Sequence, residues 1–423
     1  MSGKLKAGTA IIVAYLLLAV ISPLLVNQND IENWHYATYW EKNPKLVPPE
    51  WVNLFGKNLP PTENLREEKP GEYVYNFHYD QPPQDILIIP PANWSGDVTV
   101  SAKTPEGREV VLYSGLVSGP TFIGRSSYTM LQVARELGIP ESTAMSVVMG
   151  GNGIELIFER WDNGKWVPVH GTYTFTVNSS VHVKLRVVGR VYGPLGTDLY
   201  GRDISVIFFA GLPETLAIVF ATAFLTVSLG TLIGIFGALS GKAGRLVEGF
   251  GKVSSMLPLV PAMILLVPIL GGVSYYGAIK VSIWPIVLAL SLLLFGKVSQ
   301  NVRTITMTEL SKEHILASKA AGASEVWILR RHVLRTVLPY VSSQFVLTSA
   351  KVIALISILG FFGVSFGFNW GELFTMVVTQ RAIYNGAWWM ILPVGVAITV
   401  IAIALLLIKS EVEERFINPW ESL

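Results

Sequence analysis

The 423-residue chain has no cysteine, which excludes disulfides and thiolate zinc or redox sites. It has only six histidines, and none forms an HExxH pair, so that metalloprotease signature is absent. Charge is also sparse. Asp, Glu, Lys and Arg make up 15% of the residues, against about 25% in soluble domains. A phosphate loop is suggested by Ser240-Gly241-Lys242-Ala243, but Phe236 stands where its first Gly belongs and Ala243 where Ser or Thr belongs. The chain is therefore not expected to bind or hydrolyse ATP. No paired carboxylates, triad or metal cluster stands out in the apolar part, and there is no fixed-period repeat or low-complexity tract. What dominates is apolar: 51% of residues are hydrophobic and mean hydropathy is +0.47, which points to a membrane protein.

The apolar residues fall into runs. Ala7 to Val26 follows Lys4 and Lys6 and is nearly unbroken. About 20 helical residues cover the roughly 30 Å hydrocarbon core. A retained first span is favoured over a signal peptide, because the run is long for one and no small-x-small site directly follows Val26. Five further spans are expected near Leu212–Leu239, Ser255–Leu270, Val281–Phe295, Leu338–Phe362 and Trp388–Ile408, making six.

Residues 27–203 differ in character. They hold 15 Lys/Arg against 20 Asp/Glu, a net −5, while the rest of the chain carries +7. Asn43–Pro61 is rich in Pro and Trp and reads as extended chain. Short alternating runs follow at Tyr73–Tyr79, Asp85–Ile89, Asp97–Ala102, Glu109–Ser114, Ile154–Arg160, Lys165–His170, Thr172–Val177 and Val181–Val191, the signature of strands. Trp161-Asp162-Asn163-Gly164 reads as a hairpin turn, since Asn-Gly tolerates positive φ. Ser126–Leu137 has helical spacing and is ended by Gly138 and Pro140. The expected organisation is a first helix (1–26), a β-rich insert, sandwich-like (27–192), and a five-helix membrane core (193–423) with a charged loop at 297–337.

Lys and Arg concentrate on one side of these spans. Lys4 and Lys6, then Lys242, Arg245 and Lys252, then the loop from Lys297 to Arg335 share that side. By the positive-inside bias, both termini and these loops face the cytoplasm of a plasma membrane, and residues 27–203 face outward. Two sequons, at Asn93 and Asn178, lie on that outer side, where glycosylation is chemically open to them.

The most informative stretch is Glu313 to Pro339. Ser311–Ala321 reads as a short helix and Gly322 as its break. Ser324 suits an N-cap. Val326, Leu329, Val333 and Val337 then form one helical stripe, with Arg331 and Arg335 on another face. Small residues at Ala317, Ser318, Ala320, Ala321 and Ala323 make a low-profile knob that a partner groove can approach. An amphipathic loop lying on lipid headgroups is the plainer alternative. Leu316-Ala317-Ser318, Lys319-Ala320-Ala321, Gly322 and Leu338-Pro339, together with Glu313, Ala323, Ser324, Arg331 and His332, resemble the EAA loop of ABC importer permeases. Two positions depart from that pattern: Leu316 replaces the Glu that names it, and Arg335 stands where the peptide branch often has Pro.

A second segment, Gly193-Pro194-Leu195-Gly196-Thr197-Asp198-Leu199-Tyr200-Gly201-Arg202-Asp203, reads by itself as a Gly-rich linker with local turns. Its Gly196, Thr197, Asp198, Gly201, Arg202 and Asp203 resemble the phrase ahead of the second span in C-type permeases of dipeptide and oligopeptide importers. The large insert is similar to that of archaeal members. Phe368-Asn369-Trp370-Gly371-Glu372-Leu373 resembles the Trp-Gly segment of the same permeases. It makes Trp370 and Glu372 candidates for an outer gate, although simple interfacial anchoring also accounts for Trp370, Trp388 and Trp389. Lys351 sits mid-span, where a charge is costly. It lines the path, or it snorkels or pairs with a partner helix.

The resemblance implies an α-helical, six-span type I importer permease fold carrying a β-rich outer domain between helices 1 and 2. It implies a non-catalytic subunit importing peptides or oligosaccharides. The implied partners are a B-type permease, two ATPase subunits that hold ATP and Mg, and an extracellular binding protein; no nucleic acid or cofactor of its own is implied. A secondary transporter or channel, and a membrane-anchored receptor, are the rival classes.

Overall fold

The computed structural model describes residues 3–162, 164–271, 283–364 and 366–416. It divides into two compact units, Tyr36–Ser205 and the remainder formed by Met1–His35 with Val206–Leu423.

The Tyr36–Ser205 unit is built from strands β1 Glu63–Asn64, β2 Arg66–Lys69, β3 Glu72–Phe77, β4 Asp85–Ile89, β5 Gly96–Lys103, β6 Glu109–Val117, β7 Thr121–Phe122, β8 Glu159–Asp162, β9 Lys165–Pro168, β10 Gly171–Ser179 and β11 Lys184–Val188. They form antiparallel sheets in the orders β2-β3-β10-β5-β6, β1-β11-β4-β7 and β8-β9. Alternation explains the first sheet. Tyr73, Tyr75 and Phe77 point inward from β3, as do Tyr173 and Phe175 from β10 and Val98, Val100 and Ala102 from β5. Strand β4 does not alternate: Ile86, Leu87 and Ile88 are all fully buried, as in a strand covered on both faces. Both larger sheets share one core with Met130, Val133 and Ala134 of the helix Ser127–Glu136. That helix ends as expected, at Gly138 with φ 79°.

Two local expectations change. Ile154–Arg160 is not one strand, because Glu155–Phe158 is a helical turn and only then does β8 begin. Ile154, Leu156, Ile157 and Phe158 are all buried, and so compact an apolar run has no two-sided pattern to hold it extended. Asn43–Pro61 contains a 3-10 helix at Glu50–Phe55. Strands β8 and β9 pair Asp162 with Lys165, and Gly164 has φ 81°, as a tight hairpin requires; Asn163 of the expected turn lies outside the described residues.

The other unit is helical: α1 Gly3–Leu25, α2 Leu212–Leu239, α3 Gly241–Met256, α4 Leu259–Gly271, α5 Ile283–Leu310, α6 Glu313–Ala320, α7 Glu325–Phe361, α8 Trp370–Thr379 and α9 Leu392–Phe416. Among the described residues, five helical segments are long and apolar enough to cross a membrane. A pair bent by 88°, Gly244–Ser254 with Leu259–Val267, makes a sixth if taken as one span. Residues 281 and 282 of the expected fourth span lie outside the described residues.

Gly230, Gly234 and Gly237 serve close helix packing, whereas Gly241 has no atom within 4 Å of where a Cβ would sit. A Cβ on Gly230 would lie 2.7 Å from Val298, and one on Gly234 would lie 2.6 Å from the carbonyl of Ser299. Backbones of α2 and α5 therefore meet with no room for a side chain, the use of small residues typical of membrane helices.

Candidate functional site

The loop between α5 and α7 starts later than its charges suggest. Lys297 is not in the loop, because α5 runs on to Leu310. A helix needs no apolar residues to continue once its backbone ladder is in place, so the polar stretch after Phe295 extends it. Helix α6 then spans Glu313–Ala320 and buries only Ile315. Glu313, Leu316, Ala317, Lys319, Ala320, Ala321, Gly322 and Ser324 are exposed; Ser318 and Ala323 are half-buried.

The turn after α6 is fully bonded. The Gly322 amide donates to the Lys319 carbonyl at 3.0 Å, and the Ala323 amide to the Ser318 carbonyl at 3.0 Å. This pair of bonds is the Schellman ending, which places a left-handed residue after the helix. Gly322 supplies it with φ 87°. Ser324 then caps the next turn, its Oγ accepting from the Trp327 amide at 3.3 Å.

From Glu325 the chain is one continuous helix to Phe361. A π turn at Leu329–Val333 widens it, and Pro339 lies inside it. Leu338-Pro339 therefore marks no boundary between the basic helix and the expected span. Of the expected stripe, Val333 and Val337 pack with Val298 and Val302 of α5, while Val326 is exposed. Leu316, Val326 and Trp327 leave an exposed apolar surface on this hairpin. Arg331 is exposed. The ring of His332 lies 5.2 Å from that of His314 and 5.4 Å from that of Trp327.

Sequence reasoning missed Glu309. It is 4% exposed at the end of α5 and joins Lys312 Nζ at 2.7 Å and His314 Nε2 at 3.3 Å. It thus fixes the start of α6 to α5. The signal was available, as a lone acid closing an apolar helix with Lys and His three and five residues on.

The segment Gly193–Asp203 is a locked turn rather than a loose linker. Asp198 is fully buried. Its Oδ1 accepts from the amides of Tyr200 at 2.9 Å and Arg202 at 2.8 Å, and its Oδ2 from Arg202 Nε at 2.6 Å. Thr197 pairs with Asp203 across a bridge, and its Oγ1 accepts from the Val47 amide at 3.2 Å. Gly196 has φ 74° and Gly201 φ 84°; a Cβ on Gly201 would meet the Trp40 carbonyl at 2.8 Å.

Trp370 and Glu372 are buried. In this conformation they brace α8 within the helical unit and present no open surface. Asn369 caps α8 by accepting from the Gly371 amide at 2.9 Å and donates to Glu214 at 3.1 Å. The Trp370 amide donates to Thr215 Oγ1 at 3.0 Å and its indole to the Phe208 carbonyl at 2.8 Å. Glu372 accepts from the Trp34 indole at 2.9 Å. Lys351 sits within α7, well away from its ends, and is exposed, as is Lys297 on α5. Asn93 and Asn178 are both exposed, Asn93 in a turn with φ 60° and Asn178 on β10.

Comparison with known proteins bears on the helical unit. Residues 230–419 match the family described as binding-protein-dependent transport system inner membrane component. The oligopeptide transport system permease protein OppC of Lactococcus lactis is 23% identical over 244 residues, 56% of this chain and 81% of that one. A putative peptide transport system permease protein of Brucella suis is 29% identical over 217 residues, 50% of this chain and 69% of that one. The di/tripeptide transport system permease protein DppC of Pseudomonas aeruginosa is 26% identical over 212 residues, 50% of this chain and 67% of that one. A solved chain of the inward-facing MetNI methionine ABC transporter superposes with a TM-score of 0.35 at 18% identity, covering 49% of this chain and 96% of that one; so loose a match carries no conclusion about the fold. Over residues 230–419, the chain is similar to the binding-protein-dependent transport system inner membrane component family, and the relatives named here are permease proteins of peptide transport systems.

Proposed function

We propose that this chain is one permease subunit of an ATP-driven peptide importer of type I fold. In this reading it forms half of the translocation path with a second, B-type permease, and the bent pair of α3 and α4 completes a sixth span. The α6 hairpin faces the cytoplasm and docks in an ATPase subunit; two ATPases hold ATP and Mg, and this chain converts their closure into movement of its helices. Residues Tyr36–Ser205 face outward, where a binding protein delivers cargo. The turn at Gly196–Asp203 fixes the chain as it enters the membrane helices, and α8, with Trp370 and Glu372, braces the outer end of the path.

The observation that carries this reading is the α6 hairpin itself. It is closed by a Schellman turn, capped by Ser324 and tied to α5 through Glu309, yet it leaves Leu316, Val326 and Trp327 exposed beside a row of alanines. A rigid, small-featured, apolar projection suits burial in a groove. Peptide cargo follows from the names of the relatives. The loop drives transport only if it contacts the two nucleotide states differently.

Ala320→Arg tests the reading. It adds bulk and charge to the knob without touching the core. The expected result is loss of the ATPase subunits from the purified complex, with the second permease retained. Undiminished ATPase recovery and transport would overturn it.

A further inference from the structure

One loop of the Tyr36–Ser205 unit is rigid at its base and apolar at its tip. The 3-10 helix Glu50–Phe55 buries Val52 beneath it, but Leu54 is 83% exposed and Phe55 77%. Gly56 ends the helix with φ 83°, and Lys57 follows, also exposed. Asn53 closes the base from both sides, its Nδ2 donating to the Leu59 carbonyl at 2.9 Å and its Oδ1 accepting from the Leu59 amide at 3.1 Å. Asn58 fixes the returning chain, its amide donating to Asp80 Oδ2 at 3.0 Å and its Nδ2 to the His78 carbonyl at 2.8 Å. A tip held this way loses little conformational freedom when something covers it.

The loop is strapped to the chain that enters the membrane. The Glu50 amide donates to the Gly193 carbonyl at 3.0 Å, and the Gly193 amide to Glu50 Oε1 at 3.1 Å. The Trp51 indole donates to the Pro194 carbonyl at 2.9 Å. Two residues on, the Gly196 carbonyl accepts from the Ile204 amide at 3.1 Å. Ile204 opens the apolar helical segment Ile204–Leu239, and Asp203 is the last charge before Glu214. Two residues of chain reach at most about 7 Å. The Trp51 indole is therefore held two hydrogen bonds and that short step from the first amide of a membrane span. All of these bonds lie within the Tyr36–Ser205 unit. Leu199 and Tyr200, on the turn between Gly196 and Ile204, are exposed as well.

The side chains suit a bilayer surface. Trp, Tyr and Phe place apolar rings at headgroup depth. Lysine lays its stem along apolar surface and leaves its ammonium among the phosphates. We propose that the Leu54–Lys57 tip, with Trp51 and the exposed Leu199 and Tyr200 of the entry turn, is an interfacial anchor. It enters the phospholipid leaflet on its own side of the membrane and holds the base of the Tyr36–Ser205 unit there. The proposal rests on the membrane spans and is independent of what the chain transports.

The test uses the full-length chain in nanodiscs of phosphatidylcholine and phosphatidylglycerol. Because the chain has no cysteine, Leu54→Cys takes a single nitroxide spin label while Trp51 and Phe55 are kept. Tyr128→Cys, on the exposed face of the helix Ser127–Glu136, is the reference for water. Oxygen concentrates in the bilayer, and a neutral nickel chelate stays in water. Relaxation of the Leu54→Cys label is expected to be stronger with oxygen than with nickel, and that of the Tyr128→Cys label to show the reverse order. Adding Phe55→Asp is expected to return the Leu54→Cys label to the reverse order. Nickel dominance at Leu54→Cys with Phe55 intact would overturn the proposal by placing the tip in water. Poor access of both reagents would overturn it by placing the tip against protein. Unchanged oxygen dominance in Phe55→Asp would also overturn it, since the label alone would then be carrying the loop into lipid.

Discussion

Asp85 shows what a single buried carboxyl does to the outer unit. It accepts from the amides of Gly124 and Ile86, each at 2.7 Å, yet burial outweighs those bonds and pushes its carboxyl up to about 6. An acid whose folded value is raised favours folding while protonated. Its contribution is complete below the unfolded value, about 4, and is lost as pH rises through about 6. The loss is about 3 kcal/mol. Glu159, pushed up to about 7 by burial and then by Glu155, adds a slope of the same sign, so the comparison has to be with Asp85→Asn. Amide-exchange protection in β4, corrected for intrinsic rate, is expected to fall between about pH 4 and 6 in the natural chain and to fall less over that range in Asp85→Asn. Equal slopes would contradict this. Gly322 is a backbone case. No atom lies within 4 Å of where a Cβ would sit, but φ is 87°, so Gly322→Ala costs about 1 kcal/mol through conformation alone. Faster proteolysis within residues 318–324 is expected, with Gly322→Asn intermediate. The role of Gly322 was legible because a helix break leaves a distinct pattern. Asp85 was not, since one acid at the start of an alternating run says nothing about burial.

Among whole elements, the α2–α5 contact is the most exacting. Gly234→Val would drive a side chain onto the Ser299 carbonyl, at a cost of about 1–3 kcal/mol. Gly249→Ala, where no atom lies within 4 Å, is the control. Thermal unfolding in detergent is expected to drop for the first and hold for the second; equal stability would rule out the close packing. Alternation made β3, β5 and β10 readable, because each has one wet face. It failed at Ile154–Phe158, where burial on every side erases the pattern. The boundaries of α5 and α7 were hidden for a different reason. Lys297 and Pro339 look like interruptions in the sequence, but an established helix extends through isolated charges and can tolerate a proline.

In the importer as a whole molecule, motion is proposed to belong to the helical unit and delivery to the Tyr36–Ser205 unit. The latter has its own core, so its removal need not unfold the helices. Deleting residues 62–190 is expected to leave the two permeases and the ATPases together while abolishing recruitment of the binding protein. Unchanged recruitment would deny the outer unit that role. The chain's natural lack of cysteine opens the docking hairpin to a direct probe. In the Ala321→Cys variant the only thiol sits at the tip of the exposed hairpin. In intact cells carrying the full complex, a short thiol-to-amine crosslinker that crosses the membrane is predicted to join that cysteine to the ATPase subunit, while a membrane-impermeant maleimide leaves it unlabelled. Labelling by the impermeant reagent, or crosslinking to the outer binding protein in place of the ATPase, would contradict the proposed orientation and docking role.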